Sequence, residues 1–200
     1  MAVTVLPAER SEEVVAVLCD AFFDYPVMRF VLGDRPDYDA RLRRLIGLFV
    51  AARVSKDELM LGVETESGDL SATALVNLPG DRAAASWFDE LREAVWAELG
   101  NAERKRYDAF GTASHAFDPP EPHHHLGMIG VRGSHRGTGL GRVLLERVHQ
   151  IAASAPASAG VSLTTELPAN VTLYEYFGYH VAGHSRIAPE LETWSMFRPC

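Results

Sequence analysis

The chain is poor in cysteine and shows no segment that would direct it to or through a membrane. Its two cysteines, Cys19 and Cys200, are not spaced as metal ligands, so we expect no bound metal and no oxidising compartment. The first residues lack the charged stretch and apolar run of a signal peptide. No apolar run approaches the roughly 20 residues that a membrane-spanning helix needs. The sequence therefore predicts a cytoplasmic protein with no membrane partner.

Basic residues are also scarce relative to acidic ones. Nineteen Lys and Arg against 27 Asp and Glu give the 200-residue chain a net charge of −8. Binding of nucleic acid needs a surplus of positive charge to neutralise phosphates, so nucleic acid is not an expected partner. An acidic surface attracts cationic substrates, but it also serves solubility alone, and the charge leaves both alternatives open. A hydrophobic fraction of 47% suits one globular domain with a sizeable core.

The spacing of apolar residues predicts a mixed α/β domain. Predicted strands cover 2–6, 59–64, 70–78, 123–131, 161–165, 180–187 and 193–198. Predicted helices cover 11–25 (with Ser11 as N-cap), 36–54, 82–110, 139–154 and 170–177. The segment 82–110 is one helix or two split near Gly100, and 111–122 ends as a stiff proline-rich connection. Because a helix separates the strands at 123–131 and 161–165, we expect these two strands to be parallel neighbours.

The segment from Val131 to Arg142, VRGSHRGTGLGR, is the part of the chain that points most clearly to a ligand. It lies between a predicted strand and a predicted helix, and its glycines at 137, 139 and 141 remove Cβ atoms where a backbone would approach a ligand. The free N–H groups and the dipole of a helix start favour an anion. The segment therefore predicts a phosphate-bearing ligand held by backbone amides.

The spacing within this segment separates three kinds of phosphate loop. A nucleotide-triphosphate loop requires a lysine after its last glycine, and no lysine lies near residues 133–142. In a dinucleotide-binding fingerprint the third glycine comes one residue later and the motif lies early in the chain. The remaining pattern is Arg-x-x-Gly-x-Gly, formed by Arg136, Gly139 and Gly141.

This pattern, at a strand-to-helix junction, resembles the acyl-CoA pyrophosphate loop of the GNAT superfamily of N-acyltransferases. Ile129-Gly130-Val131 precedes it as the splayed strand of that family does. Downstream, the run from Asn170 to Tyr179 resembles the family's second signature, in which a Tyr follows an Asn by four residues and precedes a glycine-aromatic pair. The resemblance covers residues 123–198 well and 11–78 loosely.

The resemblance implies a GNAT-like fold over a single domain, residues 1–200. This is an α/β (mixed α+β) fold with a central, mostly antiparallel sheet, a splayed parallel strand pair and flanking helices. The helical insert at 82–122 departs from a minimal family member. The resemblance also implies acetyl-CoA as cosubstrate. The residues implied in binding it are Ile129 and Val131 (backbone, pantetheine arm), Arg136, Gly137, Thr138, Gly139 and Gly141 (pyrophosphate), and Asn170 (near the thioester).

The implied reaction is direct attack of a primary amine on the thioester, which needs a base for the amine and an acid for the leaving thiolate. Tyr174 stands at the family's position for the acid. Counting back from Val131 in steps of two places His125 and His123 on the same face of the strand as Val131. For the base we favour His125, because it is nearer the point where the strand splays. A neutral imidazole, with an ordinary pKa of about 6.5, suits that role. The alternative is that the histidines at 123–125 are only polar strand residues.

The acceptor is expected to be an amine-bearing small molecule or peptide, and the sequence does not choose between them. Phe22, Phe23, Tyr25 and Met28 line an acceptor pocket or belong to the core. Relatives often dimerise through their final strands, so a homodimer is an open expectation. A different class of function, a noncatalytic acyl-CoA-binding sensor, is the alternative to an acetyltransferase, although Asn170 and Tyr174 are both present.

Overall fold

The computed structural model describes residues 2–200, and over that range it has seven strands and seven α-helices. The strands are β1 (Val3–Val5), β2 (Leu59–Glu64), β3 (Leu70–Asn77), β4 (His124–Val131), β5 (Gly160–Thr165), β6 (His180–Ala188) and β7 (Leu191–Pro199). The helices are α1 (Ser11–Phe22), α2 (Pro26–Leu32), α3 (Tyr38–Ser55), α4 (Trp87–Leu99), α5 (Asn101–His115), α6 (Leu140–Ala153) and α7 (Pro168–Tyr176). Short 3-10 turns lie at Ala8–Arg10 and Gly133–His135. No helix within residues 2–200 combines the length and the apolar character needed to cross a membrane.

The strands form one sheet in the order β1-β2-β3-β4-β5-β7-β6. Strands β4 and β5 run parallel, and the other neighbouring pairs are antiparallel. The parallel pairing is short, because it matches His124 to Val161 and ends at Leu126 opposite Leu163. The predicted fold, a mostly antiparallel sheet with one parallel pair that then separates, is confirmed.

The sheet separates two apolar cores. On one face lies α6, whose buried side chains recur at the helical spacing that places them on one stripe. Those side chains are Leu140, Leu144, Leu145, Val148 and Ala152. Burial of each leucine contributes about 1.5–3 kcal/mol. The other face is covered by helices α1 to α5, which form the larger core.

The helical insert attaches to α3 through a buried ion pair. Arg41 Nη2 on α3 lies 3.0 Å from Glu103 Oε1 on α5, and both side chains are almost fully buried. The insert contains two helices, α4 and α5, divided at Gly100 with φ of +111°. The interpretation with two helices is therefore correct, whereas the extended connection begins later than predicted because α5 continues to His115.

The sequence prediction misses α2 altogether. The predicted helix 11–25 stops before Pro26, because the residue ahead of a proline avoids the helical conformation. In the structure Pro26 occupies the first turn of a new helix, where the N–H group that proline lacks would have no partner within the helix. Ser11 is not an N-cap either, since it is the first residue of α1 and its hydroxyl donates to the Ala8 carbonyl at 2.5 Å. Helix α2 brings additional apolar side chains, Val27 and Met28 among them, to the core and to the site described next.

Candidate active site

Strand β4 presents unpaired backbone groups where it leaves β5. The Arg132 N–H donates to the Ser71 carbonyl at 2.9 Å, directly after β4. Opposed residues of an antiparallel pair alternate between hydrogen-bonded and non-hydrogen-bonded positions. Val131 and Ile129, opposite Ala72 and Ala74, therefore direct their backbone N–H and C=O groups away from β3 and into the gap beside β5.

A bulge at Gly127 changes which face of the sheet the residues of β4 occupy. The pairing with β3 skips this residue, so Leu126 packs in the core under α6 while Met128 packs in the opposite core. His125 consequently lies on the face opposite to Val131. The expectation that they share a face is wrong, because counting in steps of two assumes an uninterrupted strand.

The glycine-rich segment forms the predicted turn into α6. Gly137 and Gly139 have φ of +78° and +86°, the left-handed region that only glycine adopts without strain, and a Cβ at either would meet open space. Thr138 Oγ1 donates to the His135 carbonyl at 2.6 Å and closes the turn. Gly141 is helical, and the first N–H groups of a helix have no partner within it. The segment thus offers free amides at the start of α6.

An outer groove of about 690 Å³ runs from this segment along β4. It is lined by Asp20–Pro26, Ile129–Val131, Gly133, Arg136, Leu167 and Asn170. Arg136 extends across the groove, with Nη2 at 3.5 Å from the Ala21 carbonyl. The groove extends from Gly133 and Arg136, in the glycine-rich segment, along the open edge of β4.

An inner cavity of about 310 Å³ lies on the side of the sheet covered by α1 to α5. Helices α1, α2, α3 and α5 supply apolar and aromatic side chains to its walls, Tyr25 lies between α1 and α2, and β4, β5 and α7 supply the rest of the wall together with several polar side chains. Phe22, Tyr25, Ile129 and Asn170 line both the inner cavity and the outer groove. The two spaces therefore meet at the point where β4 separates from β5.

Glu166, directly after β5, is a buried carboxylate in the wall of the inner cavity. It accepts a hydrogen bond from Thr193 Oγ1 at 2.8 Å. Burial raises the pKa of Glu166 to about 7, although hydrogen bonds from Thr193 and Tyr25 oppose the shift. A carboxyl group with this pKa can accept a proton near neutral pH. The sequence analysis missed this residue, although an acidic residue following a buried strand was a signal for it.

Hydrogen bonds hold the chain around Glu166 in place. The Glu166 N–H donates to Tyr25 Oη at 3.2 Å, and Tyr25 Oη also lies 3.2 Å from Thr165 Oγ1. Asn170 Nδ2 donates to the same Thr165 hydroxyl at 3.1 Å. The connection between α1 and α2 is thereby tied to the end of β5 and to α7.

Tyr174 on α7 is half-buried and lines the inner cavity. Its ring lies edge-on to that of Tyr179, with centroids 5.6 Å apart. Burial and then the charge of Glu166 raise the pKa of Tyr174 to about 12, so the phenol stays protonated at neutral pH. The structure therefore brings a protonated hydroxyl and a titratable carboxyl to one cavity.

The histidines at 123–125 occupy three different environments. His125 lines the inner cavity, and its Nδ1 lies 2.8 Å from Ser162 Oγ. Burial, and next the charge of Arg53, lower the pKa of His125 to about 4, which keeps the imidazole neutral. His124 faces Ser158 at 2.8 Å on the other side of the sheet. His123 lies before β4, with Nδ1 2.7 Å from a backbone carbonyl.

The side chains that the sequence analysis considered for an acceptor pocket lie partly in the inner cavity and partly at the surface. Phe22, Tyr25 and Met28 line the inner cavity. Phe23 is 39% exposed and packs edge-on against Tyr38. No group of three or more His, Cys, Asp or Glu residues in the described chain, 2–200, is arranged to hold a metal ion.

Part of the chain matches a known protein family, and the whole chain shares its fold with solved structures. Residues 92–181, which include β4, the glycine-rich segment, β5 and α7, match the family model of the acetyltransferase (GNAT) domain. The whole chain superimposes on 97% of an acetyltransferase structure, "histone acetyltransferase HPA2 and related acetyltransferase", from Corynebacterium glutamicum, with 24% identity and a TM-score of 0.68. No curated protein matches the chain.

Two further structures share the fold at lower identity. Arylalkylamine N-acetyltransferase 2 from Aedes aegypti is 14% identical, with 98% of this chain and 96% of that one covered and a TM-score of 0.66. The NatB acetyltransferase complex bound to CoA and MES is 12% identical, with 100% and 99% covered and a TM-score of 0.55.

The domain match over residues 92–181 and the fold of the whole chain indicate the class of protein, an acyl-CoA-dependent acyltransferase with the GNAT fold. The predicted resemblance to this superfamily and the predicted enzyme class are confirmed. The sequence features that are typical of this class are the glycine-rich segment and the run from Asn170 to Tyr179. The structure adds the open edge of β4 and a cavity that meets the outer groove there.

Proposed function

We propose that the protein transfers the acetyl group of acetyl-CoA to the primary amine of a small molecule bound in the inner cavity. The observation that carries this proposal is the position of Glu166, a buried carboxyl with a raised pKa in the wall of that cavity, together with Tyr174. A cavity of about 310 Å³ encloses a compound with a few functional groups. We therefore favour a small molecule over a peptide.

The outer groove and the glycine-rich segment beside it suit two parts of acetyl-CoA. The backbone groups of Ile129 and Val131 that point into the gap beside β5 suit an extended arm with amide groups, which would pair as an added strand does. The free amides at Gly137, Gly139 and Gly141 suit the pyrophosphate. Arg136 and Thr138 flank that position, and Asn170 lies at the junction where the thioester would reach the cavity.

The proposed reaction is one direct transfer. Glu166 takes a proton from the ammonium group, the amine nitrogen attacks the thioester carbonyl carbon, and the C–S bond breaks as the tetrahedral intermediate collapses. Tyr174 donates its phenolic proton to the leaving sulfur, so that CoA leaves as the thiol. The nitrogen gives up its second proton to solvent as the intermediate collapses, Tyr174 regains a proton from solvent, and Glu166 releases to solvent the proton it took. The products are the N-acetyl amine, CoA as the thiol and one net proton.

The choice of base follows from the pKa values. An efficient base has a pKa near the working pH, which Glu166 satisfies with a pKa of about 7. The imidazole of His125, with a pKa of about 4, holds a proton too weakly to serve as well. We therefore propose Glu166 as the base. The competing hypothesis is that His125, the base predicted from the sequence, has this role.

The test is release of thiol from acetyl-CoA in the presence of a panel of primary amines, each compared with its N,N-dimethyl analogue. We expect amine-dependent release with primary amines and release at the background rate with the tertiary analogues, which cannot form the amide. A noncatalytic acyl-CoA sensor would instead bind CoA, seen as a rise in melting temperature, and release no thiol with any amine. That result would contradict the proposed transfer.

A further inference from the structure

The end of the inner cavity away from Glu166 carries a buried arginine. Arg53 on α3 lines the cavity with a side chain 15% exposed. Its Nη2 lies against β4, where a Cβ added to Gly127 would come within 2.5 Å of it. The bulge and the missing side chain at Gly127 therefore leave the space that the guanidinium occupies.

The charge of Arg53 is balanced, but its hydrogen-bonding capacity is not used. Nε lies 3.8 Å from Glu58 Oε2, beyond hydrogen-bond distance, and both atoms are buried without a hydrogen-bond partner among residues 2–200. Asn77 Oδ1, also at the cavity wall, is a third such atom. Burial lowers the pKa of Arg53 and raises that of Glu58. Buried polar groups normally have partners, so this end of the cavity has the character of a binding position.

Two histidines complete the polar end. His125 is neutral, and His115 on α5 lies close to it, with ring centroids 6.2 Å apart. The hydrogen bond that His115 Nδ1 donates to the Asp118 carboxylate raises the pKa of His115. The groups at this end are therefore Arg53 beside the buried Glu58, the neutral imidazole of His125, and His115 paired with Asp118. Among them the Arg53 guanidinium is the group whose N–H donor lacks a partner in the described part of the chain, and such a donor suits an anion.

The distance to the reacting end follows from the strand register. Gly127 comes one residue after Leu126, which pairs with Leu163, and Glu166 lies three residues beyond Leu163 on the parallel neighbour. At about 3.3 Å per residue, Glu166 is offset along the strands by roughly 7–10 Å from Gly127, the residue that Arg53 lies against. Aromatic side chains line the space between the two ends, including Phe22, Phe49, Tyr107 and Phe110.

We propose that the acceptor is an amine joined through an aromatic or similarly flat apolar body to a carboxylate, with the carboxylate bound by Arg53. The amine then lies at Glu166, the body packs between the aromatic side chains, and the carboxylate receives the guanidinium N–H groups. The separation of the two ends admits one ring between the amine and the carboxylate. This inference rests on the proposed function, since the amine end is placed by the proposed base.

The test compares three acceptors with the wild-type protein: para-(aminomethyl)benzoate, its methyl ester and benzylamine. We expect kcat/KM for the acid to exceed that for either compound without a carboxylate by about tenfold or more, as a charge-assisted hydrogen bond would give. If the amines without a carboxylate are acetylated equally well or better, the inference is overturned while the proposed transfer stands.

Binding supplies a readout that does not require turnover. With CoA present, the acid should raise the melting temperature of the wild-type protein more than the ester does. An acid-specific shift without thiol release would support the carboxylate position and contradict the proposed transfer. Equal shifts with acid and ester would overturn the inference whether or not acetyl transfer occurs.

Two variants locate the effect. In Arg53→Met the preference for the acid should disappear, and the double variant Arg53→Met with Glu58→Gln repeats the measurement without leaving a buried carboxylate unpaired. Arg44→Met is the matched control, because Arg44 lies on the same helix and pairs with the exposed Glu98. Retention of the acid preference in the folded double variant would overturn the assignment to Arg53.

Discussion

The hydroxyl of Tyr25 lies 3.2 Å from the backbone nitrogen of Glu166 and accepts its N–H hydrogen bond. Tyr25 belongs to the connection between α1 and α2, whereas Glu166 follows β5 more than 100 residues later in the chain. The contact therefore holds Glu166, from the C-terminal half of the chain, against the part of the cavity wall that Tyr25 and the other residues of the N-terminal half form. Its burial there is what raises the pKa of Glu166 to about 7.

Replacement of Glu166 should remove the pH dependence of the reaction near neutrality. For the wild-type protein we expect kcat/KM to rise with pH through the pKa of about 7, because the carboxyl must lose its proton to act as base. In Glu166→Gln the rate should fall by roughly 10²- to 10⁴-fold and this rise should vanish. The measurement is kcat/KM for one amine between pH 5.5 and 9.

Two variants serve as comparisons for this profile. Glu175→Gln changes an exposed acid on α7 and should leave both rate and profile unchanged. His125→Gln should lower the rate without removing the rise near pH 7. If the rise is lost in His125→Gln and kept in Glu166→Gln, then His125 is the base and our choice is wrong.

The same raised pKa predicts how stability depends on pH. The folded state holds the Glu166 proton more tightly than the unfolded chain, whose carboxyl has its ordinary pKa of about 4.5. The resulting stabilisation is complete below pH 4.5 and is lost as pH rises through about 7. Glu166→Gln should therefore lose less stability than the wild-type protein between pH 5 and 8, as measured by urea unfolding. Parallel curves for the two proteins would show that Glu166 has an ordinary pKa.

The sequence predicts the donor side of this site better than the acceptor side. The glycine-rich segment and the Asn170–Tyr174 pair are local patterns, and the positive φ angles at Gly137 and Gly139 follow from residue type and position alone. The acceptor side depends on contacts between distant segments. Glu166 contacts Tyr25 and Thr193. These residues are far apart in the sequence, and their spacing along the chain does not predict the contacts.

The wrong face assigned to His125 has a simple physical cause. Alternation predicts faces only while each residue of a strand has one partner, and the pairing of β4 skips Gly127. A glycine within a strand is a known sign of a bulge, but the sequence does not state where the register shifts. Helix α2 was missed for a related reason, since a proline after an apolar helix marks either an end or a new beginning.

A charged side chain at Gly139 should abolish CoA binding beyond any effect on folding. In Gly139→Glu the φ of +86° strains the new side chain by about 1–2 kcal/mol, and its carboxylate would repel the pyrophosphate. We expect CoA to raise the melting temperature of the wild-type protein but not that of the variant.

Gly68→Glu is the matched control for backbone strain. Gly68 lies in the turn between β2 and β3 with φ of +88°, and a Cβ there also meets open space. This variant should lose similar stability and keep the full shift with CoA. An undiminished shift in Gly139→Glu would show that the pyrophosphate does not bind at the start of α6.

Tyr174 should affect the chemical step rather than the binding of the donor. Its phenol, whose pKa burial raises to about 12, is protonated at neutral pH and is therefore a candidate donor of that proton to the leaving sulfur. In Tyr174→Phe we expect kcat to fall by roughly 10²-fold, with the melting shift from CoA unchanged. Tyr176→Phe, which alters a 73% exposed ring two residues away on α7, should retain full activity.

A second experiment uses an acetyl donor whose leaving thiol is more acidic than CoA. With this donor the loss of kcat in Tyr174→Phe should be smaller, because a more stable thiolate needs less help from an acid. A deficit that is the same for both donors would assign Tyr174 to packing against Tyr179 instead of proton transfer.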